Sequence, residues 1–155
     1  MTDISYVIYG DLKFPRLNQS ADYDSTWSSN FNDRTLINVT QCWESSIIFA
    51  ARNGWVDSTA PICNKEECST KNTSSYCTQR GKSGKWVWRF RCCKRRLTIL
   101  ANSIFSQSRL TPGQLLEILW KISSRTPSSM IPLLIFGKPK SEVYVRIRFF
   151  RDVAG

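Results

Sequence analysis

The chain contains no histidine. That removes the side chain that titrates nearest neutral pH, and with it Ser-His-Asp and Cys-His nucleophile arrangements and zinc sites of the Cys2His2 kind. Long apolar runs are missing as well. The stretches around Ile47–Ala51 and Ile131–Phe136 fall far short of the roughly 20 residues that a membrane-spanning helix needs, so no membrane partner is expected. The start, Met1-Thr-Asp-Ile-Ser-Tyr6, has no basic segment leading into an apolar one, so no secretory signal is expected either. Acidic residues are scarce in the later part: only five follow residue 60, and none forms the carboxylate cluster that metal-dependent phosphoryl transfer requires. Neither a glycine-rich phosphate loop nor a nucleophile motif occurs. Catalysis is therefore not expected, and the chain reads as a soluble, intracellular, non-enzymatic protein.

Positive charge is abundant. The 155 residues carry a net charge of +10, which favours a polyanionic partner such as nucleic acid. The charge is unevenly placed, with residues 1–60 at −3 and residues 61–155 at +13. Between Glu67 and Glu117 there is no acid, whereas ten cations occur there: Lys71, Arg80, Lys82, Lys85, Arg89, Arg91, Lys94, Arg95, Arg96 and Arg109. A run of this kind suits a phosphate backbone, with each contact releasing counterions.

Four segments follow from the patterning, and together they give an α+β fold. Residues 1–31 read as a weakly ordered leader, because the Ser/Asn/Asp-rich stretch Asn18 to Asn32 has no period. Residues 32–57 read as one amphipathic helix, with Trp43, Ile47 and Ala51 recurring every four residues, Thr40 as its cap and Asn53-Gly54 as its stop. Residues 58–105 hold a loop with Cys63 and Cys68, a hairpin over Tyr76–Arg91 turning at Gly81-Lys82-Ser83-Gly84, and a short strand at Leu97–Ile99. In the hairpin's second strand Trp86, Trp88 and Phe90 alternate with Val87, Arg89 and Arg91. The two tryptophans fit the buried face of the sheet better than a base-stacking platform. Residues 106–155 begin with a helix at Pro112–Ser123, whose apolar face includes Leu115, Leu116 and Leu119. Over Ser141–Val153 the pattern fits a strand through Val143, Val145, Ile147 and Phe149, and equally a helix through Val143, Ile147 and Phe150. As a helix it would complete a helix-turn-helix outline.

In an intracellular setting six cysteines point to thiols or metal ligands before disulfides. The order Cys63-x4-Cys68, hairpin, Cys92-Cys93 is that of a zinc ribbon, in which a hairpin brings two thiolate pairs around one tetrahedral ion. Adjacent cysteines ligate the same ion only with an unusual backbone, so Cys77 stands as a substitute for Cys92 or Cys93. A ribbon that keeps its fold without metal and a disulfide arrangement both stay open. Cys42 reads as a small buried apolar residue.

The run from Trp86 to Leu110 resembles the zinc-ribbon end of Merlin-type transposases and their bacterial insertion-sequence relatives. There W-R-C-x-x-C-R-K-R leads into S-I-R-x-G-S-F-F and then a Leu/Trp-rich helix. Here the matching segments are Trp88-Arg-Phe-Arg-Cys-Cys-Lys-Arg-Arg96, Ser103-Ile-Phe105 and Leu115-Leu-Glu-Ile-Leu-Trp120. Upstream, Arg52-Asn-Gly-Trp55 and Pro61-Ile-Cys63 resemble the family's helix end and first knuckle, and Phe150-Arg-Asp-Val153 resembles the end of its helix-turn-helix. Phe90 stands where the family has the first cysteine of the second knuckle, and Asn102 where it has glycine. The resemblance puts Cys63 and Cys93 on zinc-ligand positions, with Cys68 as the displaced partner of Cys63, and it implies a double-stranded DNA partner in the nucleus; the ligand set expected from spacing and resemblance together is Cys63, Cys68, Cys92 and Cys93. The family's RNase-H-like catalytic domain should follow the helix-turn-helix, so the expectation is the recognition half of a transposase without its cutting half. Lys82, Lys85, Arg89, Arg91, Lys94, Arg95 and Arg96 are assigned to phosphate contacts, and Arg146, Arg148 and Arg151 to groove or backbone contacts. The rival expectation is a ribbon that binds RNA or a protein within a larger assembly.

Overall fold

A computed structural model describes residues 5–16, 18–63, 75–79, 85–101, 103, 105–106, 110–125, 145–148 and 150. Its order is β1 (Tyr6–Tyr9), β2 (Leu12–Pro15), α1 (Asp33–Val39), α2 (Trp43–Arg52), β3 (Ser75–Gln79), β4 (Trp86–Phe90), β5 (Arg96–Thr98) and α3 (Pro112–Ser123). The fold is mixed α+β, with one two-stranded and one three-stranded sheet, both antiparallel. Among the described residues no helix is long and apolar enough to cross a membrane.

The segment expected to be a leader is structured. β1 and β2 form a hairpin around Gly10-Asp11, with Gly10 at a φ of +60°. That is the first-position glycine of a two-residue hairpin turn. A Cβ on Gly10 would lie 2.7 Å from the Ser58 Oγ, so the backbone approaches as closely as only glycine allows. Val7, Leu12 and Phe14 are buried by this hairpin. Further along, Tyr23 and Phe31 are buried too, and Trp27 stacks on Phe31 with ring centroids 5.1 Å apart. The polar composition of this stretch hid apolar side chains spaced too irregularly to give a period.

The single helix expected over 32–57 is two. Asn32 caps α1 by accepting the Thr35 N–H at 3.0 Å, and Thr40 ends α1 instead of starting a helix. Cys42 is the N-cap of α2. It is half-buried, with its sulfur 3.7 Å from the Tyr23 hydroxyl. Asn53 closes α2 as the sequence predicts. The break is stabilised by Ser45 and Ser46, whose buried hydroxyls donate to the Val39 carbonyl at 2.6 and 3.3 Å. These bonds satisfy a carbonyl that the end of α1 leaves without a helical partner.

α3 has the predicted bounds. Thr111 accepts the Gln114 N–H at 3.2 Å, and the Gln114 side chain accepts the Thr111 N–H at 3.0 Å, a complete capping box with Pro112 at the first helical position. Leu115, Leu116 and Ile118 are fully buried against the core shared with Ile47, Ile48 and Phe49. Each such side chain contributes roughly 1.5–3 kcal/mol. The Trp120 indole N–H donates to Asp33, tying α3 back to α1. Residues 145–148 and 150 are helical, which decides the ambiguous terminal segment over that span. Ile147 and Phe150 are buried, and the Phe150 ring meets Phe105 edge to face at 6.0 Å. The intervening turn of the expected helix-turn-helix, Pro127–Pro132, lies outside the described residues.

Candidate metal centre and basic face

β3, β4 and β5 make the sheet that carries the site. β4 is central, pairing with β3 from Gln79↔Trp86 to Ser75↔Phe90 and with β5 through Val87↔Thr98 to Arg89↔Arg96. Trp86 and Trp88 are buried, as the alternation predicts. Trp86 meets Phe14 edge to face at 4.7 Å, and its indole N–H donates to the Glu44 carboxylate at 2.8 Å. The tryptophans therefore fasten the sheet to the N-terminal unit and leave no stacking platform of their own.

The cysteines converge at the Phe90 end. Ser75, opposite Phe90, donates both its N–H and its hydroxyl to the Pro61 carbonyl, at 3.2 and 2.9 Å. That places Cys63, two residues on, beside the turn that follows β4. Within this turn the Lys94 N–H donates to the Phe90 carbonyl, the Phe90 N–H donates to the Arg95 carbonyl, and Lys94 adopts a φ of +57°. A turn does not send neighbouring side chains to opposite faces as a strand does, so adjacent Cys92 and Cys93 reach one centre. The sulfurs of Cys63, Cys92 and Cys93 lie within 4.8 Å of one another, and those of Cys63 and Cys93 are 4.0 Å apart. Four thiolates held tetrahedrally at about 2.3 Å from zinc stand about 3.8 Å from each other. The group can thus hold a metal ion with little movement. Cys68, the expected partner of Cys63, lies outside the described residues.

Cys77 is a correction. It faces Trp88 in the strand register, and its sulfur is turned to β2, where it accepts the Lys13 N–H at 3.4 Å and donates to the Lys13 carbonyl at 3.3 Å. Burial pushes its thiol pKa up. It closes the gap between the two sheets and is not a member of the sulfur group.

Around the sulfurs, Arg91, Lys94, Arg95 and Arg96 are exposed and Arg89 is half-buried. Arg89 and Arg96 are directly opposed across β4 and β5. Arg91 lies over the Tyr76 ring at 4.8 Å and Arg95 over Phe90 at 4.6 Å. Among the described residues the only ion pairs are those of Arg16 and Arg52 with Asp24, so none of these five cations meets a carboxylate. Lys85 and Arg148 are exposed as well. Lys82 and Arg151 lie outside the described residues. Arg146 is the second correction: it is only 8% exposed, and its guanidinium donates to the Ser106 carbonyl. Burial lowers its pKa. In that position Arg146 braces the terminal helical segment and is not open to a DNA groove. No protein-family model matches this chain, and neither a curated protein nor a solved structure matches it.

Proposed function

We propose that the protein is a non-catalytic DNA-binding module, similar to the ribbon part of Merlin-type transposases, in which Cys63, Cys92, Cys93 and Cys68 hold a structural zinc ion. Arg89, Arg91, Lys94, Arg95 and Arg96 contact duplex phosphates, with Lys82, Lys85, Arg148 and Arg151 extending the face, and the site of action is the nucleus.

The observation that carries this reading is the opposition of Arg89 and Arg96 in a pair of strands, with no carboxylate paired to either among the described residues. Like charges directly opposed across a sheet are destabilising. A bound polyanion turns that cost into affinity, and surfaces that sacrifice stability locally are characteristic of functional sites. Four thiolates on zinc leave a local charge of −2, which offsets part of the cationic crowd but not all of it. The acids of the N-terminal unit are held by that unit's own groups, by α3 and by β4. Asp22 accepts from Ser25, Asp24 pairs with Arg16 and Arg52, Asp33 accepts from Trp120, and Glu44 from Trp86. Burial of Trp86 and Trp88 weighs against a single-stranded RNA platform built on those rings.

A gel-shift titration at low salt tests the proposal. The wild-type chain is expected to retard duplex DNA more strongly than single-stranded RNA. The triple variant Arg91→Gln, Arg95→Gln, Arg96→Gln should lose most of that binding. No retardation of duplex DNA by the wild-type chain overturns the reading, and stronger retardation of RNA replaces it with the alternative.

A further inference from the structure

Between the first hairpin and the ribbon sheet runs a groove of about 570 Å3, lined by residues of β1, β2, β3 and the start of β4. Two tyrosines flank it. Tyr6 on β1 is 47% exposed and Tyr76 on β3 is 36% exposed. Each carries a cation against one ring face, Lys13 at 4.6 Å from the Tyr6 centroid and Arg91 at 4.8 Å from that of Tyr76. The groove wall between them presents Thr78 and Gln79. Neither side chain has a hydrogen-bond partner among the described residues. The one acid in the lining, Asp11, accepts the Ala60 N–H at 2.7 Å and so is already engaged.

We propose that this groove takes unpaired nucleotides of a DNA strand, an inference that rests on the DNA-binding reading above and adds a single-strand site to it. Exposed aromatic rings interleaved with cations are the chemistry by which proteins hold unpaired bases. The rings stack on the bases, and the cations neutralise the phosphates that join them. Tyr6 and Tyr76 supply the rings, Lys13 and Arg91 the charge, and the amide of Gln79 and hydroxyl of Thr78 can donate to and accept from base edges. A volume of this size lies within the usual range for small-molecule sites, about 300–1,000 Å3, enough for a nucleotide but too small for a duplex. Arg91 does not line the groove itself but reaches its edge through the Tyr76 ring, on the side of the basic turn. The arrangement suits a junction where double-stranded DNA gives way to a frayed or gapped single strand.

Fluorescence anisotropy on the full chain tests this with two probes: a blunt duplex, and the same duplex carrying a short single-stranded tail that contains 2-aminopurine. The tailed probe should bind roughly tenfold more tightly or better, the range expected for one or two stacked bases, and its 2-aminopurine emission should fall. Tyr6→Ala combined with Tyr76→Ala should erase that preference while leaving blunt-duplex affinity unchanged, which also reports that the variant is folded. Tyr6→Phe with Tyr76→Phe should keep the preference. Equal wild-type affinity for the two probes, or a preference that survives the double alanine variant, overturns the groove assignment while leaving duplex binding intact. Binding of neither probe overturns both readings together.

Discussion

The N-terminal unit and the three-stranded sheet treat charge in opposite ways. In residues 5–63 ionic groups are consumed by the fold. Asp24 is shared by Arg16 and Arg52 at 3.7 and 3.8 Å, those arginines also lie over Tyr23 and Tyr9, and Glu44 and Asp33 accept indole N–H groups. Near the three sulfurs Arg89, Arg91, Lys94, Arg95 and Arg96 crowd together without a carboxylate partner among the described residues. The contrast shows why net charge alone is a poor guide to a binding face. The −3 region and the +13 region differ in how their charges are arranged as well as in how many they hold. The two regions also differ in what keeps them folded. The first has an aromatic cluster of Trp27, Phe31, Phe49 and Trp55, which α3 joins through Trp120, whereas the second has a thin sheet fastened at one end by Trp86 and closed at the other by cysteines.

The largest expected effect separates the regions by their dependence on metal. Cys63→Ser should abolish bound zinc, measured by atomic emission. It should also remove hydrogen-exchange protection from β3, β4 and β5 while α1, α2 and α3 keep theirs, since metal binding supplies folding free energy to the element that it closes. Loss of protection in both regions at once would erase the distinction. Next in size is the link between them. Glu44→Ala leaves the Trp86 indole N–H without its acceptor, at an expected cost of about 1–3 kcal/mol in urea unfolding, whereas Glu44→Gln keeps an acceptor and should cost less. The smallest effect is the most discriminating. Arg96→Thr relieves the opposition with Arg89 and should raise stability by roughly 0.2–1 kcal/mol. The same change should weaken duplex DNA binding and lower its salt slope by about one. A variant that gains stability with no loss of binding would mean that the opposed arginines have nothing to do with DNA.

Much of the sheet and of α3 was legible because their signals are local. Trp86, Trp88 and Phe90 alternate over five residues, and Thr111, Pro112 and Gln114 write a capping box in consecutive letters. The signal for the first hairpin is equally local. Gly10-Asp11 between Val7–Tyr9 and Leu12–Phe14 is a turn flanked by apolar residues, its two strands short enough to be lost beside the polar stretch that follows. The break between α1 and α2 was masked by the continuing four-residue spacing of Trp43, Ile47 and Ala51, which says nothing about the backbone at Thr40 and Cys42. Three roles were beyond sequence reasoning. Arg146 looks like any other arginine in Arg146-Ile-Arg148 until its carbonyl partner 40 residues away is known. Cys77 meets Lys13 across 64 residues. The approach of Cys92 and Cys93 to one centre depends on the left-handed Lys94, a conformation that a lysine does not advertise.

The central proposal is that the basic face of the three-stranded sheet binds duplex DNA by releasing counterions. Its most direct test is the affinity of the wild-type chain for a blunt duplex, measured over a series of salt concentrations. With Arg89, Arg91, Lys94, Arg95 and Arg96 on phosphates, log K should fall against log salt with a slope of roughly −4 or steeper. A slope near zero, or no binding at the lowest salt, would contradict it.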